Sequence, residues 1–537
     1  MLPQEQRSVK RIFTSLVALL VLQIQAGAQP LPKLVVCITV DQLRGDLLDE
    51  LSPYMGSDGI NRLLKGGLVY TKVKYPYMPN NAAAATASIF TGTNPEIHGI
   101  TSPKAYDRTA KSIKDIFRDD NFVGNYTRDN LSPKPLMVNT LGDQLKVADK
   151  SCRVYSIAPD YGEAISAGGY AADGAFWIDD RIGSWASSNY YEKMPAYIDR
   201  YNRSAEGPNK RLSSVKWTPT GTDRFSSPYF SGKKITYSFN TNNVPDYKRS
   251  ALVNKEISDL ANLFIGNAGF ETSNVPNLLT LNYYAGNYPK SVNGDYSPEI
   301  VDTYLKLDQS IASVLNQIDK KIGLRNCIVT FTGTGYYNPA KSSGTSAEKL
   351  KHSISLKRCK TLINLFLSAS YGSGEWVSDC FDGNIFLNRK LIDQKRISLS
   401  DIQNKVCELL YDLDGVSGAY PSLLFNSGSA LTRDVLKWKL GSHPKYRPDV
   451  YIRLAPGWIF EDSTLQESVE SSGNSYQTFN AVQTPFIIYG LNIEPRVLEG
   501  KTVYAGDIAP TIASILRIRP PTAADRFSLD ITSNKKK

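Results

Sequence analysis

The sequence predicts an α/β domain in which a mostly parallel sheet is sandwiched by helices and carries inserted crown and cap elements. Short, continuous apolar runs are typical of strands that are buried on both faces. These runs alternate with longer segments of helical periodicity, and such alternation is typical of parallel sheets covered by helices. The predicted strands are 34–40, 153–157, 278–283, 327–331, 450–454 and 485–489. The predicted helices are 58–65, 83–90, 141–148, 250–263, 299–319, 400–413 and 507–516, the last with Asp507 as its N-cap.

The N-terminus has the three parts of a cleaved secretory signal. Arg7, Lys10 and Arg11 form a basic flank, residues 12–22 are apolar, and Ala-Gly-Ala occupies residues 26–28. This order is typical of a signal peptide, and the apolar run is shorter than the ~20 residues that span a bilayer. We therefore expect residues 1–28 to be removed and the chain to be periplasmic or secreted, without a transmembrane segment.

One large domain is expected after the signal. No linker rich in Pro, Gly or Ser and no internal repeat divides the sequence, so residues 29–528 are predicted to form one α/β domain, followed by a basic tail at 529–537. Two insertions are predicted, at about 160–245 and 335–441. The second has helical patterns at 356–372 and 401–413.

Composition excludes some functions and limits others. The net charge is +10 with both signs interspersed, which argues against a nucleic-acid surface. Thirty-one tyrosines leave open an aromatic glycan-binding surface, for example in the loops 187–201 and 283–296. The six cysteines include Cys37 and Cys327 inside predicted strands, where cysteine packs as a small apolar side chain. At most one disulfide is expected, and its pair stays open among Cys152, Cys359, Cys380 and Cys407.

Several ordered segments resemble a known family. They are VDQLRGDLL at 40–48, the segment 77–100, the segment 173–191, LAPGW at 454–458 and GDIAPTIASIL at 506–516. From about residue 33 to about 528 the chain resembles the alkaline phosphatase superfamily, in its PafA-type phosphomonoesterase branch. The resemblance implies an alkaline phosphatase-like fold. It also implies a family site with two zinc ions and a Thr or Ser nucleophile at a helix N-terminus, where phosphate is favoured.

Residue by residue, the resemblance implies a degenerate site. The nucleophile position is Ala82, which has no nucleophilic atom. The phosphate-binding Asn of the family corresponds to Pro103, and the Lys and Arg that clamp the phosphoryl group correspond to Pro159 and Tyr161. Both clamping charges are therefore missing.

The metal ligands that the family would use are also mostly replaced. Of six such positions only the first, Asp41, keeps a ligand side chain. The whole chain contains three histidines, whereas a catalytic zinc ion needs at least three protein ligands. We therefore expect no bound metal, and a neutral cleft that binds phosphate weakly. The corresponding positions are Asp41, Asn287, Ser291, Thr334, Gly335 and Asn474. At the last five, in this order, the resemblance implies Asp, His, Asp, His and His as the family's ligands.

Other candidate catalytic residues have weaker support. Thr86 and Ser88 are possible displaced nucleophiles, but no histidine lies beside them in the sequence to activate them. His98 is expected to have a structural role in a Pro-Glu-Ile-His-Gly turn. Asp160, Glu163, Asp295 and Glu299 could pair as acid and base, although solvated carboxylates in surface loops are the simpler interpretation.

The sequence therefore favours an exported, catalytically inactive alkaline phosphatase-like protein. It is predicted to act as a binding or structural subunit of an envelope assembly, with a protein partner in the cell envelope. Two alternatives remain: a zinc-dependent or reorganised hydrolase of phosphate or sulfate esters, and a glycan-binding module.

Overall fold

The computed structural model describes most of the chain after the predicted signal. The predicted signal and the predicted ligand positions Asn287, Ser291 and Asn474 lie outside the described residues. The described residues are 30–78, 80–220, 235–286, 288, 297–336, 353–426, 431–455, 458–460 and 483–531.

The main sheet has ten strands and confirms the predicted fold class. Its order is β20 (Arg496–Tyr504), β2 (Leu68–Lys74), β19 (Phe486–Gly490), β12 (Cys327–Gly333), β1 (Leu34–Asp41), β11 (Asn277–Tyr284), β6 (Val154–Ile157), β7 (Gly174–Ile178), β8 (Trp185–Ser188) and β5 (Gly124–Asn125). The five strands from β12 to β7 are parallel to one another. β19 runs antiparallel to both of its neighbours, and β8 does the same near the other edge.

Helices cover both faces of this sheet. In β1, Leu34 and Val36 belong to one core cluster, whereas Val35 and Cys37 belong to the other. This alternation buries the strand on both sides, as its unbroken apolar sequence predicts. The helices are α1 (Gly45–Leu51), α2 (Ile60–Gly66), α3 (Ala82–Thr91), α4 (Pro95–His98), α5 (Leu141–Ala148), α6 (Tyr161–Gly168), α7 (Ala196–Arg203), α8 (Pro208–Leu212), α9 (Val244–Lys248), α10 (Val253–Asn267), α11 (Pro298–Lys321), α12 (Leu356–Tyr371), α13 (Arg389–Gln394), α14 (Leu399–Tyr411), α15 (Arg433–Leu440) and α16 (Ile508–Leu516).

One predicted strand lies in a different sheet. The segment 450–454 is β17 (Val450–Leu454), but it pairs antiparallel in a separate four-stranded sheet, in the order β14 (Val377–Phe381), β15 (Asn384–Leu387), β17 and β16 (Val416–Pro421). Its Ile452 packs with apolar residues of α12 and α14 and not with those of the main core. Apolar content predicts that a strand is buried but does not specify the sheet to which it belongs.

The remaining strands form three two-stranded sheets. They pair β3 (Lys104–Asp107) with β4 (Ser112–Asp115), β9 (Lys216–Trp217) with β10 (Tyr237–Ser238), and β13 (Ser353–Ile354) with β18 (Ile459–Phe460).

The local bonding of Asp507 differs from prediction. Asp507 directly precedes α16, but its carboxylate accepts from the Tyr504 amide (2.8 Å) and pairs with Arg526 (2.5 Å) instead of capping that helix.

All six cysteines are described and none forms a disulfide. Burial raises the pKa of the Cys37 and Cys327 thiols to about 12, so both pack as neutral side chains. Within the described ranges, no helix has both the length and the apolar character needed to cross a membrane.

Candidate functional site

A cleft opens where the central strands end. β1 ends at Asp41, β11 ends at Tyr284 and Thr334 follows β12, so all three residues lie at the carboxyl edge of the sheet, where α/β folds bind ligands. The empty volume of the cleft is about 540 Å³, including its open mouth. Its lining residues are Asp41, Gln42, Asn81, Ala82, Ala83, Pro103, Asp160, Tyr161, Gly162, Glu163, Arg249, Tyr284 and Tyr336.

The first residue of helix α3 lies at this cleft and is an alanine. Asn81 caps the helix: its side-chain oxygen accepts from the Ala84 amide (3.0 Å), and its side-chain nitrogen donates to the Thr101 carbonyl (2.7 Å). Ala82, the first residue of the helix, lines the cleft. The helix N-terminus therefore faces the cleft, but residue 82 brings no side-chain heteroatom to it.

Asp41 has partners within the protein. The Thr334 hydroxyl donates to Asp41 Oδ1 (3.0 Å), and the Tyr336 hydroxyl also hydrogen-bonds this carboxylate. Burial raises the pKa of Asp41, while Tyr336, Arg249 and Thr334 oppose that rise. The carboxylate is held by neighbouring side chains and by the positive charge of Arg249.

The structure leaves no room for a side chain at Gly335, the residue after Thr334. Gly335 has φ of 76°, in the left-handed region, and a Cβ atom there would collide with the ring of Tyr75. A histidine at position 335 would therefore need a different path of the chain after β12.

Two basic residues that were not predicted from the sequence, Lys248 and Arg249, lie beside Asp160. Lys248 is buried, and its ammonium group pairs with Asp160 and with Asp180 (2.5 Å) and donates to the Ile178 carbonyl (3.2 Å). Arg249 lies 3.4 Å from Asp160. Burial alone would raise the pKa of Asp160, but Lys248 and then Arg249 outweigh it and lower that pKa. The Lys-Arg pair at the end of α9 has no motif spacing, so only the fold reveals its role.

Glu163 is buried in the first turn of α6. Its Oε2 has no hydrogen-bond partner among the residues that the structure describes. Burial, Asp160 and Asp41 together raise its pKa well above the ordinary range. Asp160 and Glu163 are therefore not solvated loop carboxylates, because the fold places both inside the cleft. The cleft therefore contains ionisable side chains of both signs, and its overall neutrality stays a prediction.

The positions predicted to have lost the phosphate clamp contribute no charge. Pro103 and Tyr161 line the cleft, and the Tyr161 hydroxyl donates to Asp115 (2.6 Å). Pro159 uses its carbonyl to accept from the Ile178 amide (3.2 Å). Arg249 is thus the cationic residue of the cleft lining, and it is already paired with Asp160.

Ser88 and His98 are in contact, although no neighbouring histidine was expected for Ser88. His98 Nδ1 accepts from the Ile100 amide (3.1 Å), so Nε2 carries the proton and donates to Ser88 Oγ (2.9 Å). Ser88 in turn donates to the Tyr77 hydroxyl (2.8 Å). This tautomer cannot take a proton from Ser88, and both side chains are buried. The pair is structural.

The donor set does not fit the two zinc ions of the family. Among the residues described, no three His, Cys, Asp or Glu side chains are grouped so that they could hold a metal ion. Asp41 is bonded to Thr334, and Asp160 is paired with Lys248 and Arg249. A basic side chain beside a carboxylate competes directly with a cation for it.

Comparison with known proteins establishes the family. The family model described as type I phosphodiesterase / nucleotide pyrophosphatase matches residues 35–390, and the chain belongs to this family. This confirms the prediction that the chain is a PafA-like member of the alkaline phosphatase superfamily.

Similar proteins cover almost the whole chain. Alkaline phosphatase PafA of Elizabethkingia meningoseptica is 26% identical over 534 residues, which are 93% of this chain and 94% of the relative. Alkaline phosphatase PhoV of Synechococcus elongatus is 27% identical over 532 residues, 92% and 91% of the two chains. The crystal structure of wild-type PafA superposes with a TM-score of 0.76 at 24% identity, covering 94% of this chain and 99% of that one. This likeness shows the shared fold.

Proposed function

We propose that this chain is a catalytically inactive alkaline phosphatase-like protein that acts as an exported binding or structural subunit of an envelope assembly. The observation that carries the proposal is Ala82 at the first position of α3, facing the cleft at the carboxyl edge of the sheet. A helix N-terminus attracts phosphate, but a methyl group cannot attack it.

The charges of the cleft support the same proposal. Lys248 and Arg249 supply positive charge to Asp160, and Arg249 also acts on Asp41. Basic side chains can neutralise carboxylates, but they cannot lower the pKa of a bound water as a metal ion does. The cleft is thus stabilised internally without gaining the means to activate a nucleophile.

Exposed apolar side chains near the four-stranded sheet support a role in binding. They are Leu365 on α12, Leu423 in the turn after β16 and Leu436 on α15. Export is supported by the basic flank, the apolar run and the small residues at 26–28.

Enzyme assay and elemental analysis together test the proposal. The purified chain should contain far less than one zinc ion and should hydrolyse aryl phosphate monoesters, diesters and sulfates no faster than a denatured sample. Ala82→Thr should restore no activity, because residues that act as a unit are not additive. The PafA relative, purified and assayed in parallel, is the positive control. Turnover by the unmodified chain that Asp41→Ala abolishes would replace this proposal with an adapted hydrolase.

A second candidate is a metal-independent hydrolase, and one observation favours it. Glu163 and Asp160 share the cleft with pKa values displaced in opposite directions, which is the pattern of an acid and a base. Loss of a measurable ester hydrolysis in both Glu163→Gln and Asp160→Asn, with zinc absent, would favour this candidate. The ion pairs of Asp160 with Lys248 and Arg249 argue against it, because they stabilise the ionised base and weaken it.

A further inference from the structure

A second cavity lies beside the cleft, because Ser102 and Lys104 line it while Pro103, between them, lines the cleft. It is enclosed by the β3 hairpin on one side and by the β14–β15 hairpin and the segment after α15 on the other. Its empty volume is about 490 Å³, including its open mouth. The residues that matter here are Asp382, Tyr106, Phe386, His443 and Tyr446.

Asp382 brings a buried carboxyl group to this cavity. The residue is 7% exposed, and its Oδ1 has no hydrogen-bond partner among the described residues. Asp382 and Gly383 form the two-residue turn between β14 and β15, with φ of 57° and 73°. Such turns favour Asp-Gly, which explains the backbone conformation. The turn does not explain why the side chain is buried without a partner.

Lys104 lines this cavity, but burial is the cause that shifts the pKa of Asp382, and two arginines beyond the lining have acidic partners. Arg108 pairs with Asp449 (3.0 Å), and Arg447 lies 3.8 Å from Glu96. Burial raises the pKa of Asp382 to about 7, and no neighbouring charge opposes that rise. A buried carboxylate normally has a paired charge or several hydrogen bonds, so this one lacks a counter-charge.

The wall beside Asp382 is aromatic. Tyr106 and Phe386 pack with ring centroids 4.6 Å apart, and Tyr446 also lines the cavity. The Arg108 guanidinium lies 5.2 Å from the centroid of Phe386, so this wall already carries one cation on a ring face. Aromatic faces attract cations, and they also cover the apolar part of an organic ligand.

We propose that this cavity binds the primary ammonium group of a small organic amine, which donates to Asp382 while its alkyl part lies against Tyr106 and Phe386. The ammonium group supplies the missing counter-charge and the missing hydrogen bond at the same time. Charge-assisted hydrogen bonds are about twice as strong as neutral ones, which favours an amine over an alcohol of the same shape. His443 and Tyr446 lie in the same lining and offer polar contacts to the rest of the ligand.

Matched probes test this site on the full chain. Propylamine, propanol and glucose are titrated by calorimetry and by thermal shift at about pH 8.5, above the pKa of Asp382 and below that of an alkylamine. We expect propylamine to bind at least about ten-fold more tightly than propanol, a factor worth ~1.4 kcal/mol.

Asp382→Asn is the decisive variant, because Asn-Gly favours the same turn and the hairpin should form. We expect it to remove the preference for the amine, whereas Asp414→Asn, at an exposed position, should leave it unchanged. Equal binding of amine and alcohol, unchanged amine binding in Asp382→Asn, or no binding of any probe would each overturn the proposal. Glucose binding that depends on Asp382 would overturn the assigned ligand class in favour of a polyhydroxyl ligand. None of these results depends on esterase activity, so this proposal and the proposed function fail separately.

Discussion

Thr334 donates a 3.0 Å hydrogen bond to Asp41 at the point where β12 and β1 end side by side. The resemblance to the zinc phosphatases implies a metal-binding carboxylate at position 334. Two carboxylates at this distance repel each other unless a cation lies between them. The hydroxyl converts that repulsion into an attraction, so this edge of the sheet is expected to be stable without metal.

Substitution at position 334 tests this interpretation. Thr334→Val leaves Asp41 without one donor and should lower the free energy of unfolding by about 1–3 kcal/mol. Thr334→Asp should lower it at least as much, because it adds a buried like charge. Urea unfolding with and without zinc measures both effects. A Thr334→Asp variant that zinc restores to wild-type stability, or a chelator that lowers the melting temperature of the wild type, would show a retained metal site.

Removing the buried ammonium group of Lys248 should be more costly. Lys248→Met leaves Asp160 and Asp180 without their shared partner, and we expect a loss of about 3–5 kcal/mol. Lys255→Met is the matched control, since Lys255 is exposed and, among the described residues, forms an ion pair with Asp259 (2.7 Å). We expect a loss below ~1 kcal/mol. Equal, small losses measured by urea unfolding would mean that the Lys248 ion pairs contribute little.

Phosphate should bind the cleft poorly because of charge. Asp41 and Asp160 face the space that an anion would enter, and Arg249 is engaged by Asp160. Millimolar phosphate or vanadate should therefore not change the melting temperature, whereas a ligand at 100 times its Kd would add ~2.7 kcal/mol. Asp160→Asn removes an ionised carboxylate and releases Arg249, so it should be the first variant to bind phosphate. Clear stabilisation of the wild type that is lost in Arg249→Ala would show that an anion site persists.

The sequence predicts the buried elements better than the edges. The central strand β1 and the helix α5 follow their predicted ranges closely, because unbroken apolar runs and helical periodicity both report burial. The edge strand β20 and its neighbour β2 were missed. Their sequences, RVLEGKTVY and LVYTKVK, mix lysine and other polar residues with apolar ones, so neither forms an unbroken apolar run.

The candidate site was predictable only where the residues follow the ends of buried strands. Asp41 follows the predicted strand 34–40, and Thr334 comes three residues after the predicted strand 327–331, so both are expected where parallel strands end at one edge of the sheet. Lys248 and Arg249 come from the segment before α10, far along the chain, and their ion pair with Asp160 depends on tertiary packing. A single sequence contains no periodicity or spacing that reports such a contact.

The buried His98 should make stability depend on pH. Burial is the largest cause that lowers its pKa, to about 3, while an unfolded histidine has a pKa of about 6.5. Above about pH 6.5 the side chain is neutral in both states, and it contributes no pH dependence. Between about pH 6.5 and pH 3 the unfolded chain binds a proton that the folded chain does not bind, so stability falls by up to ~1.4 kcal/mol for each unit of decreasing pH.

A variant without the imidazole tests this prediction. His98→Gln cannot bind that proton, and its stability relative to wild type should rise as the pH falls from about 6.5 to 4.5. Urea unfolding across this range measures the difference, which also cancels the titration of the carboxylates that both proteins share. His443→Gln, at a half-buried histidine, is the control and should show a smaller change. A constant difference between His98→Gln and wild type over the whole range would mean that His98 has the same pKa in the folded and unfolded states, and the Ser88–His98 hydrogen bond would then need a different assignment.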